Sequence, residues 1–274
     1  MKNMKLLGAV LLIGALISVV GCKDRDSEKI GLGSVQLEIT DAPFPFDAIA
    51  QANIIVNEIA VVGSGGISVV DSQTRVYDLV QLQHGTTAIM TTISLPPGSY
   101  HEFRLVVGDA TITLTDGRSF ALNIPSGSSS GLKVKLSEPL VITSGLSERL
   151  IFDFDLSQSF KPIPNSAKKA EDINNFTFHP VVRGAVVSDS GEIGGQVLLL
   201  ADGTAVEGAT VTLTNLAGDL TQTATTLADG TFVFAFLPED IYVVTVETAD
   251  GLLTAISPNL VVTVGNRVDI ILTP

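Results

Sequence analysis

The sequence predicts an all-β protein built as two Greek-key β-sandwich domains in tandem. Three observations carry that expectation. Apolar and polar residues alternate with period two over almost every segment, the mark of strands with one buried face. Val35, Leu37 and Ile39 fall on one face, with Gln36, Glu38 and Thr40 on the other. Four Asp-Gly pairs (Asp116-Gly117, Asp202-Gly203, Asp229-Gly230 and Asp250-Gly251) punctuate the runs. Asp-Gly tolerates positive φ and is a strong short-range hairpin signal. Finally, a Leu-Pro-x-x-x-Tyr spacing occurs in both halves, as Leu95-Pro96 to Tyr100 and as Leu237-Pro238 to Tyr242. A tyrosine opening a strand after a tight turn pins a sandwich corner through its hydroxyl.

The elements follow in order. Residues 1–21 read as a lipoprotein signal peptide. Lys2 and Lys5 form a basic head, and an apolar or small run of 15 residues follows from Leu6 to Val20. That run is short of the roughly 20 residues a spanning helix needs. Val19-Val20-Gly21-Cys22 then places two aliphatic residues and a small one before the only cysteine of the chain. This resembles the bacterial lipobox, which implies cleavage between Gly21 and Cys22 and acylation, palmitate included, of Cys22. Each buried methylene adds roughly 0.8 kcal/mol, so two or more chains anchor a protein stably. The resemblance further implies the cell envelope as location. Lys23, where aspartate marks inner-membrane retention, favours the outer membrane, and both the periplasmic and the surface face fit. Residues 22–33 are a tether whose Asp24, Asp26 and Glu28 loosely resemble a surface-export signal; a solvated linker is the plainer reading.

The first sandwich is expected over 34–187. Phe103, Leu105 and Val107 alternate there, as do Phe120, Leu122 and Ile124. Pro125–Gly131 and Ser157–Asp172 read as irregular, and Ser166–Ile173 is the one stretch offering a short helix. Residues 188–191 form the linker. The second sandwich spans 192–274, with Val211 and Leu213, then Phe232, Phe234 and Phe236, on its inner faces.

Charge excludes some functions. The chain carries −13, and −15 without the signal segment; from Gly191 onward ten acidic residues face a single Arg267. Such a surface repels nucleic acid and anionic headgroups. Tryptophan is absent and tyrosine occurs three times, which weighs against a strong sugar-stacking platform.

Candidate site residues are few. Asp153 and Asp155 share a strand face opposite Phe152, Phe154 and Leu156. Neighbouring carboxylates repel unless a cation or backbone amides compensate. A structural Ca²⁺ held by Asp41, Asp153 and Asp155 is one reading. A water-facing aspartate pair, with Asp41 in an Asx turn, is the plainer one. Phe44 and Phe46 flank Pro45, either plugging the sandwich end or forming a contact tip. His84, His101 and His179 are scattered, and no phosphate loop, CxxC pair or Gly-x-Ser-x-Gly elbow occurs. No catalysis is therefore expected.

Two family resemblances add to this reading. Val35-Gln36-Leu37-Glu38-Ile39-Thr40-Asp41-Ala42-Pro43, Tyr77-Asp78-Leu79, Phe152-Asp153-Phe154-Asp155 and His179-Pro180-Val181-Val182 resemble the bacterial lipoprotein domain-of-unknown-function family 4382. That likeness implies a surface lipoprotein and no activity. Ile193-Gly194-Gly195-Gln196-Val197, Val206-Glu207-Gly208-Ala209-Thr210-Val211 and Thr225–Phe232 resemble carboxypeptidase regulatory-like domains, which have a transthyretin-like sandwich. Glu239-Asp240 departs from the glycine often found there. Such domains resemble carbohydrate-binding folds and serve as spacers or docking modules. The expected function is thus a non-catalytic, lipid-anchored adhesion, binding or scaffold module. Its partners would be the membrane, through the lipid, and a glycan or a surface or matrix protein. Carbohydrate binding for glycan capture is the alternative.

Overall fold

The computed structural model describes residues 31–42, 48–122, 124, 130–165, 167 and 169–274. The signal segment, Gly21, Cys22, most of the tether, Phe44 and Phe46 lie outside the described residues. Residues Gly31–Pro274 form one compact unit.

Twelve strands make up the first half: β1 (Gly33–Ala42), β2 (Ile49–Gly63), β3 (Gly66–Asp71), β4 (Arg75–Asp78), β5 (Ala88–Leu95), β6 (Gly98–Leu114), β7 (Ser119–Leu122), β8 (Leu132–Ile142), β9 (Ser147–Asp155), β10 (Phe160–Ile163), β11 (Asn175–Phe178) and β12 (Val182–Val186). Eight run in the order β3-β2-β6-β8-β12-β9-β1-β5, with β4 on β2 and β7 on β6. This sheet folds over on itself. Phe103 on β6 meets Phe152 on β9 edge to face, with ring centroids 5.6 Å apart. The faces read from alternation hold: Val35, Leu37, Ile39, Phe103, Leu105 and Val107 are fully buried.

The second half has β13 (Gly191–Val197), β14 (Thr210–Asn215), β15 (Thr221–Thr225), β16 (Thr231–Leu237), β17 (Asp240–Glu247), β18 (Thr254–Ile256), β19 (Leu260–Val262) and β20 (Arg267–Leu272). The sheet β16-β13-β20 covers the sheet β15-β14-β17-β18, with β19 also on β17. A separate core lies between them, including Val211, Leu213, Phe232, Phe234 and Tyr242.

Turn chemistry explains several corners. In all four Asp-Gly pairs the glycine has positive φ. In all four the aspartate Oδ1 accepts the backbone N–H two residues on, at 3.0 Å. Three of the pairs close antiparallel neighbours, as the hairpin signal predicts. Asp229-Gly230 instead joins β15 to β16, which belong to different sheets. Both tyrosine corners form: the hydroxyls of Tyr100 and Tyr242 donate to the carbonyls of Pro96 and Pro238, each at 2.9 Å.

Other features depart from expectation. Three neighbour pairs are parallel: β1 with β9, β8 with β12 and β13 with β20. Part of Ser157–Asp172 is regular, since a one-turn helix α1 (Leu156–Ser159) leads into β10, which pairs with β11. The expected helix near Ser166–Ile173 is only a 3-10 turn at Ala170–Asp172. Glu38, on the polar face of β1, is buried. Arg149 on the adjacent β9 grips both its oxygens, at 2.6 and 2.8 Å. That pairing outweighs desolvation and pulls the Glu38 carboxyl down to about 2.

Candidate functional site: the junction between the two halves

The structure brings the three candidate aspartates together. Parallel β1 and β9 place Thr40 opposite Asp153, Asp41 opposite Phe154 and Ala42 opposite Asp155. On β9 the core face carries Leu150, Phe152 and Phe154, and the other face carries Ile151, Asp153 and Asp155. The shared face was read correctly, but its environment was not. Every residue from Leu150 to Asp155 is buried, because elements of the second half meet that side.

Each carboxylate has a distinct role. Asp155 caps α1: Oδ1 accepts from the Ser157 hydroxyl at 2.5 Å and the Gln158 backbone N–H at 3.0 Å. Its Oδ2 accepts from Gln158 Nε2 at 2.8 Å, and that same amide donates to the Thr221 carbonyl of β15 at 2.7 Å. Asp153 pairs with Arg183 of β12. With its amide turned so that the oxygen accepts, Gln222 of β15 accepts from both terminal nitrogens of Arg183. Arg183 and Gln158 of the first half thus both grip β15 of the second. Asp41 Oδ1 accepts the Leu156 N–H at 3.1 Å. Its Oδ2 is buried with no hydrogen-bond partner among the described residues. Burial first, then the charges of Asp153 and Asp155, push the Asp41 carboxyl well above the usual carboxylate range; the Leu156 N–H opposes this.

The Ca²⁺ reading meets a competing explanation here. The guanidinium of Arg183 and the amides of α1 offset the repulsion that a cation was invoked to cancel. Among the described residues no group of three His, Cys, Asp or Glu side chains is placed to hold a metal ion. Nor do the aspartates face water.

Backbone strain collects at the same place. His84 (φ 58°) and Phe236 (φ 55°) are the non-glycine residues with left-handed backbone among those described. Such φ values are outliers for bulky residues. At Phe236 the cause is a bulge. β16 pairs Leu237 with Gly191 but Phe234 with Ile193, so Ala235 and Phe236 oppose Glu192 together. The bulge breaks the alternation of Phe232 and Phe234 and turns Phe236 out of the core. Phe236 lines a cavity of about 20 Å³ with Thr40, Asp41, Gly85, Asp153 and Gln222. That is room for a single water, not for a substrate.

Beside this contact the junction opens into a groove. Three adjoining depressions of about 470, 500 and 690 Å³ all include Ser137 and Pro238 in their walls. β8 causes the opening on one side. It pairs with β6 through Lys135 opposite Glu102, then only from Leu140 opposite Tyr100, so the intervening residues bulge out. β8 runs beside β12 and shares a ladder pairing with it at Gly184 opposite Leu136. A Cβ at Gly184 would lie 2.5 Å from a terminal methyl of Leu136 and 3.1 Å from one of Val134, so a larger residue there displaces side chains of β8. The second half supplies the opposite wall. There Asn215 Nδ2 donates to Asp219 Oδ1 at 2.6 Å and Asp240 Oδ2 at 2.9 Å. Behind them stands Tyr242, whose hydroxyl is pushed up to about 12 by burial and by Asp240.

Sequence reasoning missed Arg183, Gln222, Asn215 and Phe236. A signal existed for two of them. Gln222 and Asn215 occupy inward positions of strands whose other inward residues are apolar. A polar residue there requires a buried partner.

The fold and the junction define a tandem β-sandwich protein whose halves are joined through buried polar contacts. Residues 32–180 match the family model described as domain of unknown function (DUF4382), and the chain belongs to that family. Residues 192–273 match the carboxypeptidase regulatory-like domain. No curated protein matches the chain. Similar solved structures include the Bacillus anthracis TIE protein, at 15% identity and TM-score 0.28, covering 88% of this chain and 34% of that one. The chain therefore spans about a third of that protein's length. The shaft pilin SpaA from Lactobacillus rhamnosus GG gives 12% identity and TM-score 0.28, covering 89% of this chain and 98% of that one. BcpA, the major pilin subunit of Bacillus cereus, gives 10% identity and TM-score 0.24, covering 88% and 70%. At these scores none bears on function.

Proposed function

We propose that this protein is a non-catalytic, lipid-anchored module of the cell envelope that binds or scaffolds partners at its junction groove. The observation that supports this reading is the polar lock. Arg183 with Asp153 and Gln222, and Gln158 with Thr221, tie two sandwiches together and hold the groove walls in fixed relation. A preorganised surface loses less entropy on binding than a mobile one. The anchoring part rests on the Val19-Val20-Gly21-Cys22 sequence, and Lys23 favours the outer membrane. For a glycan platform, rings would have to face solvent. The pairs Phe103–Phe152 and Phe232–Phe234 are instead fully buried in the cores, so the groove is the better binding surface.

Metabolic labelling with a clickable palmitate analogue tests the anchor. The wild type should take up label, and Cys22→Ser should lose it and accumulate as a precursor. Equal label in both would refute anchoring through Cys22.

A further inference from the structure

We propose that two copies of this chain associate through β3, their β3 strands pairing antiparallel about a two-fold axis at Ser68. The open edge is the first support. β3 ends the large sheet, and among the described residues its ladder is with β2 alone. Thr91 of β5 bonds the Asp71 carboxyl at one end of the strand, and every residue from Ser64 to Val69 is exposed. Gly63 opposite Gly66 closes the two-residue turn Ser64-Gly65, and such a turn is closed by a hydrogen-bonded pair. Non-hydrogen-bonded and hydrogen-bonded pairs then alternate through Val62–Ile67, Val61–Ser68 and Ala60–Val69. Ser68 therefore bonds β2, while the N–H and C=O groups of Ile67 and Val69 point away from it. An edge that presents such groups is a template for another strand.

The usual protections of an edge are missing. No proline and no charged residue occurs from Ile59 to Val70. The bulge that leaves Val70 unpaired lies past the open run, and Gly66 to Val69 keep one register.

Symmetry selects the occupant. A two-fold axis normal to the sheet keeps each side chain on its own face, so the strand must match itself when reversed. Ile67-Ser68-Val69 does so, with a β-branched aliphatic residue on each side of Ser68. Ile67 faces Val69 of the second copy and Val69 faces its Ile67, each pair exchanging two main-chain hydrogen bonds. These side chains are 55% and 56% exposed in one copy, and cross-strand aliphatic pairs stabilise a sheet. Charge agrees. Two chains at −13 repel, and this uncharged run lets them meet without a like-charge contact.

The contact lies on a different strand from the junction groove, so either can fail alone. The test uses the full chain in neutral detergent. Ser68 faces itself in a non-hydrogen-bonded pair, whose Cα atoms come to about 4.5 Å, within reach of a disulfide. Ser68→Cys under mild oxidation should give a linked dimer on a non-reducing gel. Cys22 is the natural cysteine, so the wild type treated alike sets the background. Ser147→Cys, exposed at the start of β9, should stay at that background. Adding Val69→Lys to Ser68→Cys buries a charge in the contact and should cut linking about tenfold or more. Mixing that chain with one carrying Ser68→Cys and Ile67→Asp sets lysine opposite aspartate and should restore linking. Thermal melts of the variants confirm that they fold. No linked dimer above background, equal linking through Ser147→Cys, undiminished linking with Val69→Lys, or no rescue in the mixture would each overturn the proposal.

Discussion

Asp41 and Glu38 sit three residues apart on one strand and respond to pH in opposite directions. Glu38 is held down to about 2 by Arg149. The stability it contributes is present above the carboxylate value of the unfolded chain and is lost as pH falls towards about 2. Asp41 is pushed up by burial beside Asp153. The folded state then holds a proton that the unfolded chain has released. Its contribution is full below the ordinary aspartate range and is lost as pH rises through the folded value. Asp41→Asn keeps a neutral side chain at all pH values. The variant should therefore gain on the wild type as pH rises from acid to neutral, in melting temperature read across that range. A constant difference between the two curves would mean that Asp41 is ionised in the fold.

At the scale of elements, the turns separate conformational strain from collision. Gly203 and Gly230 both follow an aspartate and have φ of 73° and 77°. A Cβ at Gly203 meets open space, whereas one at Gly230 lies 2.5 Å from the Val197 carbonyl oxygen. Gly203→Ala should cost only the left-handed backbone penalty, about 1–2 kcal/mol. Gly230→Ala adds displacement of β13 and should exceed that by about 1 kcal/mol or more. Urea midpoints of the two variants decide this, and equal costs would show that the β15–β16 connection yields freely. The bulge at Phe236 belongs to the same scale: one extra residue redirects a phenyl ring from the core to the junction.

For the whole molecule, the junction determines whether two cores behave as one. Arg183, like Gln158, has partners in both halves. Its side chain is 26% exposed and that of Asp153 is 9%, so the pair lies between a surface contact and a buried one. Arg183→Met should cost about 1–3 kcal/mol. It should also uncouple the halves, so that calorimetry shows two transitions where the wild type shows one or a closer pair. An unchanged thermogram would place the coupling elsewhere along the contact.

Much of this was legible in the sequence because it is local. Alternation assigned Val35, Leu37, Ile39, Phe103, Leu105, Val211 and Leu213 to cores. The four Asp-Gly pairs marked turns with positive φ, and the Leu-Pro-x-x-x-Tyr spacing marked two tyrosine corners whose bonds formed. The two family resemblances also came from short runs of residues. What covers a strand's second face is not local. Asp153 and Asp155 show the same period-two pattern whether that face meets water or a neighbouring sheet, so only the tertiary structure could reveal Gln158, Arg183, Gln222 and Phe236 beside them. The same holds for the parallel neighbours. Strand pairing joins residues distant in the chain, and the energy that selects it comes from packing and burial across that distance rather than from any segment's own propensity.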